Sequence, residues 1–110
     1  MSKTVLIVDD DDSVRDSTAC MLETMGWKVK TASSVEIGVT MVSGANVILS
    51  DLEMKPFSGV DFFKMIEQKE IPFILMSGSR DAPEIAREIG ITFVVKPIDF
   101  KALGKILSEI

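Results

Sequence analysis

The sequence contains no histidine and no tyrosine in its 110 residues. Catalysis by a histidine base, a histidine-containing triad or a histidine zinc site is therefore excluded, and the remaining chemistry depends on carboxylates, hydroxyls and lysines. The single cysteine, Cys20, cannot form an internal disulfide, which fits a reducing compartment. No apolar run approaches the ~20 residues that a membrane-spanning helix needs. We therefore expect a cytoplasmic protein that does not associate with membranes.

The sequence also lacks the excess of positive charge that nucleic-acid binding requires. It has 12 Lys and Arg residues against 17 Asp and Glu residues, which gives a net charge of −5. Because a nucleic-acid-binding surface needs a basic patch to neutralise phosphates, we expect no direct nucleic acid binding. What the chain does contain is 46% hydrophobic residues, which predicts one globular domain over residues 1–110.

Five short apolar runs alternate with five segments that carry helical signals. The first run is apolar without alternation, which is typical of a strand covered on both faces, whereas the second alternates like an edge strand. The predicted strands cover residues 4–8, 27–31, 46–50, 72–76 and 92–95, and the predicted helices cover 13–25, 33–44, 59–68, 81–90 and 99–110. This alternation predicts an α/β fold in which a parallel sheet has helices on both faces.

Polar residues follow four of the five predicted strands. Asp9 and Asp10 follow the first strand, Asp51 the third, Ser77 the fourth and Lys96 the fifth. Because such sheets bind ligands beyond the carboxyl ends of their strands, we expect these side chains to converge there. Asp51, in the first loop position, is expected at the sheet edge, neither buried nor freely solvated. A carboxylate in that position needs a cation or hydrogen bonds.

Converging carboxylates of this kind indicate a cation site. Carboxylates repel each other unless a cation neutralises them, and an all-oxygen donor set suits Mg²⁺. A carboxylate beside Mg²⁺ can attack phosphorus and form an acyl phosphate, whose oxygens are then held by a metal, a lysine and a hydroxyl. Asp10, Lys96 and Ser77 match these three roles.

Further residues in the loops carry a resemblance to a known family. Met54 and Gly59 follow Asp51, and the dipeptides Ser77-Gly78 and Lys96-Pro97 follow the fourth and fifth strands. With the acidic residues, this ordered set resembles the response-regulator receiver domain of two-component signalling, over essentially the whole chain. The resemblance implies a doubly wound (βα)5 flavodoxin-like fold with the strand order 2-1-3-4-5.

The resemblance implies a phosphorylation site and a metal site. Asp51 would accept a phosphoryl group from a sensor histidine kinase or a phosphotransfer protein. Asp10, Asp51 and the backbone carbonyl of Glu53 would bind Mg²⁺, with Mn²⁺ as the alternative, and Asp9 would act mostly through metal-bound water. Such a protein is a regulatory phosphoacceptor and not an enzyme, because it catalyses only its own phosphorylation and dephosphorylation.

The resemblance also implies a switch that responds to about two new negative charges. Lys96 would pair with the Asp51 carboxylate and later with the phosphoryl group, while Ser77 would swing toward the phosphoryl and Phe93 would follow it inward. The implied phosphoryl-binding and switch residues are Ser77, Gly78, Phe93 and Lys96, and the peptide bond before Pro97 is a candidate for the cis form. Readout is expected on the face of the fourth helix, fifth strand and fifth helix.

Four features depart from the family pattern. Lys55 interrupts the usual Met-Pro pair, Glu53 places a carboxylate beside the phosphorylation site, and Phe93 lacks a hydroxyl, so its switch would work by packing alone. The interval from Ser77 to Lys96 is shorter than usual by roughly one helical turn, which predicts a short fourth helix. Both a monomer and a phosphorylation-dependent dimer stay open.

Alternative interpretations also stay open. The chain could be a degenerate receiver that serves as a phosphorylation-independent protein-interaction module. The spacing of Asp9, Asp11 and Ser13 also resembles haloacid-dehalogenase-type phosphatases, with Asp9 as nucleophile and Asp11 as acid. That family normally has a longer chain with a cap and a further acidic motif. The output is expected to be either a downstream effector protein or a C-terminal output domain missing from this chain.

Several residues have a simpler structural interpretation. Asp11, Asp12 and Ser13 are expected to cap the first helix or supply acids to its first turn. The methionines at positions 21, 25, 65 and 76 are expected to fill the core.

Overall fold

The computed structural model describes residues 3–110 and contains one five-stranded parallel sheet with helices on both faces. The strands are β1 (Thr4–Val8), β2 (Lys28–Ala32), β3 (Val47–Asp51), β4 (Phe73–Ser77) and β5 (Thr92–Val95). The helices are α1 (Asp12–Thr24), α2 (Val35–Val39), α3 (Gly59–Ile66), α4 (Ala82–Ile89) and α5 (Phe100–Ser108), and a 3-10 turn (Glu67–Lys69) follows α3. The strand order is β2-β1-β3-β4-β5, which confirms the expected doubly wound α/β topology.

The burial of each strand follows from its place in this order. Every residue of the central strands β3 and β4 is buried, which accounts for the unbroken apolar runs with which both strands begin. Strand β2 lies at an edge and is only partly covered, as its alternating sequence predicted. No helix among residues 3–110 is long and apolar enough to cross a bilayer.

The strand register brings the carboxyl ends of the strands to one edge of the sheet. Val8 lies opposite Ser50 on β3, Asp51 lies opposite Met76, and Ser77 lies opposite Val95. The residues that end or immediately follow these strands therefore lie side by side. The sequence alone predicted this convergence, because parallel strands all end at the same edge.

Alternate residues of the strands fill two core layers. Leu6, Val8, Ile48 and Leu75 face the layer under α2, α3 and α4. Val5, Ile7, Leu49, Ile74 and Met76 face the layer under α1 and α5. The helices thus pack on both faces of the sheet, and this packing holds the strand ends in fixed positions relative to one another.

Side-chain caps define where most of the helices begin. The carboxylate of Asp11 accepts from the Val14 N–H at the start of α1, as predicted, and Asp99 caps α5. A reciprocal capping box between Ser58 and Asp61 opens α3, which was not predicted. The sequence Asp81-Ala82-Pro83-Glu84 also predicts a cap by Asp81 at the start of α4, and this is wrong, because Asp81 makes no side-chain hydrogen bond to that helix.

Two expectations about the helices need further correction. Helix α2 has five residues and ends well before residue 44, because the chain leaves the helix at Thr40 to reach β3. The expected core role holds for Met76 only, since Met21, Met25 and Met65 are 39–47% exposed. Helix α1 buries only Thr18 and Leu22, so its methionines lie beside the contact face and not within it. Helix α4 is short, with eight residues, as the sequence predicted.

Candidate functional site

Asp51 is the last residue of β3 and lies deeper than the sequence suggested. It remains in register with Met76 of β4, and it is 4% exposed. The expectation of a half-solvated loop position is therefore wrong. The sheet continues past Asp51 on the β4 side, because the Leu52 N–H donates to the Met76 carbonyl at 2.9 Å.

Lys96 connects two buried carboxylates at this edge. Its Nζ lies 3.0 Å from Oδ2 of Asp9 and 3.1 Å from Oδ1 of Asp51. The pairing with Asp51 was expected, whereas the hydrogen bond to Asp9 was not. The other oxygen of Asp9, Oδ1, accepts from the Asp11 N–H at 2.9 Å, so both oxygens of this fully buried carboxylate have partners.

The main chain ties the ends of β4 and β5 together beside this ion pair. The Lys96 N–H donates to the Ser77 carbonyl at 2.9 Å. The Lys96–Pro97 bond that follows is cis, and so is the Lys55–Pro56 bond, which no sequence pattern had indicated. A Cβ at Gly78 would meet the Lys96 carbonyl only at ordinary contact distance, 3.5 Å.

Burial and charge shift the ionisation of the two central groups. Burial raises the pKa of Asp51 to about 6 from 3.8, and the negative charge of Asp9 adds to this effect. The positive charge of Lys96 opposes it without cancelling it. Burial acts against the charged form of Lys96, but the hydrogen bond to Asp9 and the charge of Asp51 outweigh burial, and the pKa of Lys96 is raised. Both groups are charged at neutral pH.

The carboxylates form a donor set that suits a hard divalent cation. Asp9, Asp10 and Asp51 each offer a carboxylate oxygen, and these three oxygens lie within 4.8 Å of one another. Among residues 3–110, Oδ1 of Asp51 is the one buried side-chain oxygen or nitrogen that has no hydrogen-bond partner. Its contact with Lys96 is an ion pair. An oxygen-only cluster with an unsatisfied buried member fits Mg²⁺.

Glu53 binds the hydroxyl of Ser77, a contact that was not predicted. Oγ of Ser77 lies 2.8 Å from both carboxylate oxygens of Glu53 and donates its proton to that carboxylate. The same oxygen accepts from the Ser79 N–H at 2.9 Å. Ser77 is fully buried, whereas Glu53 is exposed to solvent. The sequence contained one indication of this contact: β3 and β4 were expected to be neighbours, so the loops that follow them were expected to lie side by side.

Gly59 allows α3 to start directly against the end of β3. A Cβ at this position would lie 2.3 Å from the Asp51 carbonyl oxygen and 2.7 Å from Cδ1 of Leu75. The Gly59 N–H donates to the Leu52 carbonyl at 2.9 Å, and Met54 is buried in the loop between them. The backbone of Asp51 is therefore packed tightly against the helix.

Two of the candidate residues, Phe93 and Asp11, do not take part in this cluster of carboxylates and Lys96. Phe93 is half-buried on β5, opposite Leu75, and packs against the core layer under α4. Asp11 is exposed, and its carboxylate caps α1, while Asp9 is paired with Lys96. The arrangement expected of a phosphatase, with Asp11 as a free acid beside a nucleophilic Asp9, is therefore not favoured.

Comparisons with known proteins agree on one family. A model of the response regulator receiver domain matches residues 5–108. The transcriptional regulatory protein FixJ of Rhizobium meliloti is 33% identical over 103 residues, which cover 87% of this chain and 50% of FixJ. The sensor kinase/phosphatase CqsS of Vibrio cholerae is 31% identical over 105 residues, 86% of this chain and 15% of that protein.

A solved structure supports the same relationship. The chemotaxis protein CheY4 of Vibrio cholerae superposes with a TM-score of 0.88 at 25% identity, and covers 100% of this chain and 99% of its own. The chain spans about half the length of the FixJ relatives that it matches.

Proposed function

This chain belongs to the response regulator receiver domain family, and on that premise we propose that Asp51 is a phosphoacceptor. The observation that carries the proposal is the cluster in which Lys96 joins Asp9 and Asp51 beside Asp10. The donor would be a phosphohistidine of a sensor histidine kinase or a phosphotransfer protein. The proposal treats residues 1–110 as one receiver domain.

Asp51 supplies the nucleophile in this proposal. With a pKa of about 6, its carboxylate is mostly ionised at neutral pH and can attack the phosphorus of the donor. An O–P bond to Asp51 forms as the N–P bond of the phosphohistidine breaks, and the electron pair of that bond returns to the imidazole. The protein's contribution is to hold the carboxylate in position and stabilise charge on the transferred group.

Asp10 and Asp51, with the backbone carbonyl of Glu53, would hold Mg²⁺ or Mn²⁺, and Asp9 would support them. When bound, the metal would supply the positive charge that brings carboxylates and phosphoryl oxygens together. Lys96 already lies beside Asp51 and is in place to pair with a phosphoryl oxygen. Ser77 and Gly78 lie at the end of the neighbouring strand, where the Ser77 hydroxyl can turn toward the phosphoryl.

The proposed output is a change in protein contacts. Phosphorylation adds about two negative charges beside Lys96 and Ser77, and Phe93 on β5 would couple that change to the face of α4, β5 and α5. A downstream effector protein or an output domain outside this chain would read that face. FixJ is a transcriptional regulatory protein and is about twice as long as the matched region, which makes an attached output domain one of the two possibilities.

Incubation with acetyl phosphate and MgCl₂, followed by intact-mass measurement, tests the proposal. We expect one phosphoryl group per chain, released by hydroxylamine as an acyl phosphate is, and lost in Asp51→Asn. The matched control is Asp16→Asn, because Asp16 is an exposed acid on α1 away from the cluster. Failure of the wild-type protein to incorporate phosphoryl would favour the phosphorylation-independent interaction module. Turnover of para-nitrophenyl phosphate lost in Asp9→Asn would favour the phosphatase.

A further inference from the structure

The hydroxyl of Ser77 already donates one hydrogen bond and accepts another in this structure. A serine hydroxyl has a single proton to donate. That proton is directed to the Glu53 carboxylate at 2.8 Å, while the oxygen accepts from the Ser79 N–H at 2.9 Å. Ser77 therefore cannot donate to a phosphoryl group on Asp51 until it releases Glu53.

We infer that Glu53 is a built-in competitor of the phosphoryl group, because its carboxylate holds the Ser77 hydroxyl until phosphorylation displaces it. This inference rests on the proposed role of Asp51 and deepens it. Glu53 is then a positioning residue that acts through Ser77. The phosphoryl group has to replace one anionic acceptor of the Ser77 proton with another, so part of its interaction energy is spent on that exchange.

The surroundings of Glu53 allow the displacement. Its side chain is exposed, so the carboxylate regains hydrogen bonds to water when it leaves Ser77, which offsets much of the loss of that contact. A cavity of about 520 Å³ adjoins it between the loops after β3 and β4, and Lys55, Ser58 and Ser79 line this cavity. The cavity offers space, and Lys55 offers a cation for the displaced carboxylate, whereas Asp10 and Asp81, which also line the cavity, repel it.

Glu53 also acts on Asp51 through charge, and the two effects have to be separated. Its negative charge contributes to the raised pKa of Asp51, so any neutral substitution would ease the approach of an anion. Competition for Ser77, in contrast, requires the hydroxyl. A double-mutant cycle between positions 53 and 77 isolates the second effect from the first.

The experiment measures the affinity of the full chain for beryllofluoride in the presence of Mg²⁺, followed by fluorine NMR. The four proteins are the wild type, Glu53→Ala, Ser77→Ala and the double variant. We expect Glu53→Ala to tighten binding about tenfold more when Ser77 is present than when it is replaced by alanine. The matched control is Glu23→Ala, which removes an equal charge from an exposed position on α1 and should leave the affinity unchanged.

Each outcome decides one question. Equal gains in both backgrounds, or no gain, would overturn the inference while the proposed function stands. Absence of beryllofluoride binding in all four proteins would overturn the proposed function and the inference with it. Glu53→Gln keeps a neutral acceptor for the hydroxyl, so we expect it to give a smaller Ser77-dependent gain than Glu53→Ala. A larger gain in Glu53→Gln would also contradict the competition.

Discussion

Replacing Asp51 with asparagine should stabilise the folded protein at neutral and alkaline pH. Burial raises the pKa of this carboxyl to about 6 from 3.8, so the folded state holds the proton more tightly than the unfolded chain does. The favourable contribution of Asp51 is therefore fully present below about pH 4 and is lost as the pH rises through about 6. A shift of about two units corresponds to roughly 3 kcal/mol.

An asparagine side chain cannot ionise, so the variant should retain what the wild type loses. We expect Asp51→Asn to raise the free energy of unfolding by about 3 kcal/mol at pH 8, with a gain that shrinks toward zero near pH 4. Urea denaturation followed by far-UV circular dichroism, in EDTA and at several pH values, measures this difference. Asp16→Asn serves as control, because an exposed acid on α1 should show no comparable dependence.

A gain that stays constant with pH would show that asparagine improves packing and does not relieve a buried charge. A loss of stability at pH 8 would show that the attraction between Asp51 and Lys96 outweighs burial and the repulsion from Asp9. Either result would refute the assignment of the raised pKa to burial and to the charge of Asp9.

Three further predictions concern other parts of the structure. Lys96→Ala should destabilise the protein by about 1–3 kcal/mol at pH 8 in urea denaturation, which is less than the loss of a partner from a fully buried ion pair costs. The same variant should raise the pKa of Asp51 further, which a carboxyl NMR titration measures. Gly59→Ala should cost about 3 kcal/mol or more in urea denaturation because its Cβ meets the Asp51 carbonyl, whereas Gly104→Ala should cost little because it meets only the flexible end of a methionine. Mg²⁺ at ten times its dissociation constant should stabilise the wild type by about 1.4 kcal/mol, and Asp10→Ala should lose most of that gain. Equal Mg²⁺ effects in both proteins would exclude Asp10 from the metal site.

The sequence predicted the elements of the site that depend on chain direction. Asp9, Asp51, Ser77 and Lys96 each end or follow a strand, and parallel strands bring their carboxyl ends together regardless of loop detail. The positions of the strands could be predicted from the sequence as well. A continuous apolar run as short as residues 47–49 fits a buried strand better than a helix, which needs about ten residues or more.

The parts that the sequence did not predict depend on which side chains meet across loops. The contact between Glu53 and Ser77 needs the conformation of two loops, and neither loop has a periodic pattern. The depth of Asp51 was missed because β3 extends one residue further than the strand predicted over residues 46–50. The exposure of Met21 and Met25 was missed because a helical stripe shows which residues share a face but not how wide the contact with the sheet will be.

The backbone hydrogen bonds at the carboxyl edge of the sheet restrict how any signal can leave the site. Asp9 is tied to Ala32, Leu52 to Met76 and Lys96 to Ser77, so β1 and β2, β3 and β4, and β4 and β5 stay joined beyond their last residues. A frame joined in this way resists splaying when a charged group arrives. If Asp51 is phosphorylated as proposed, we expect the response to be confined to side-chain rotamers and to the loops that follow the strands, so that rotations of individual side chains would carry the change to the surface.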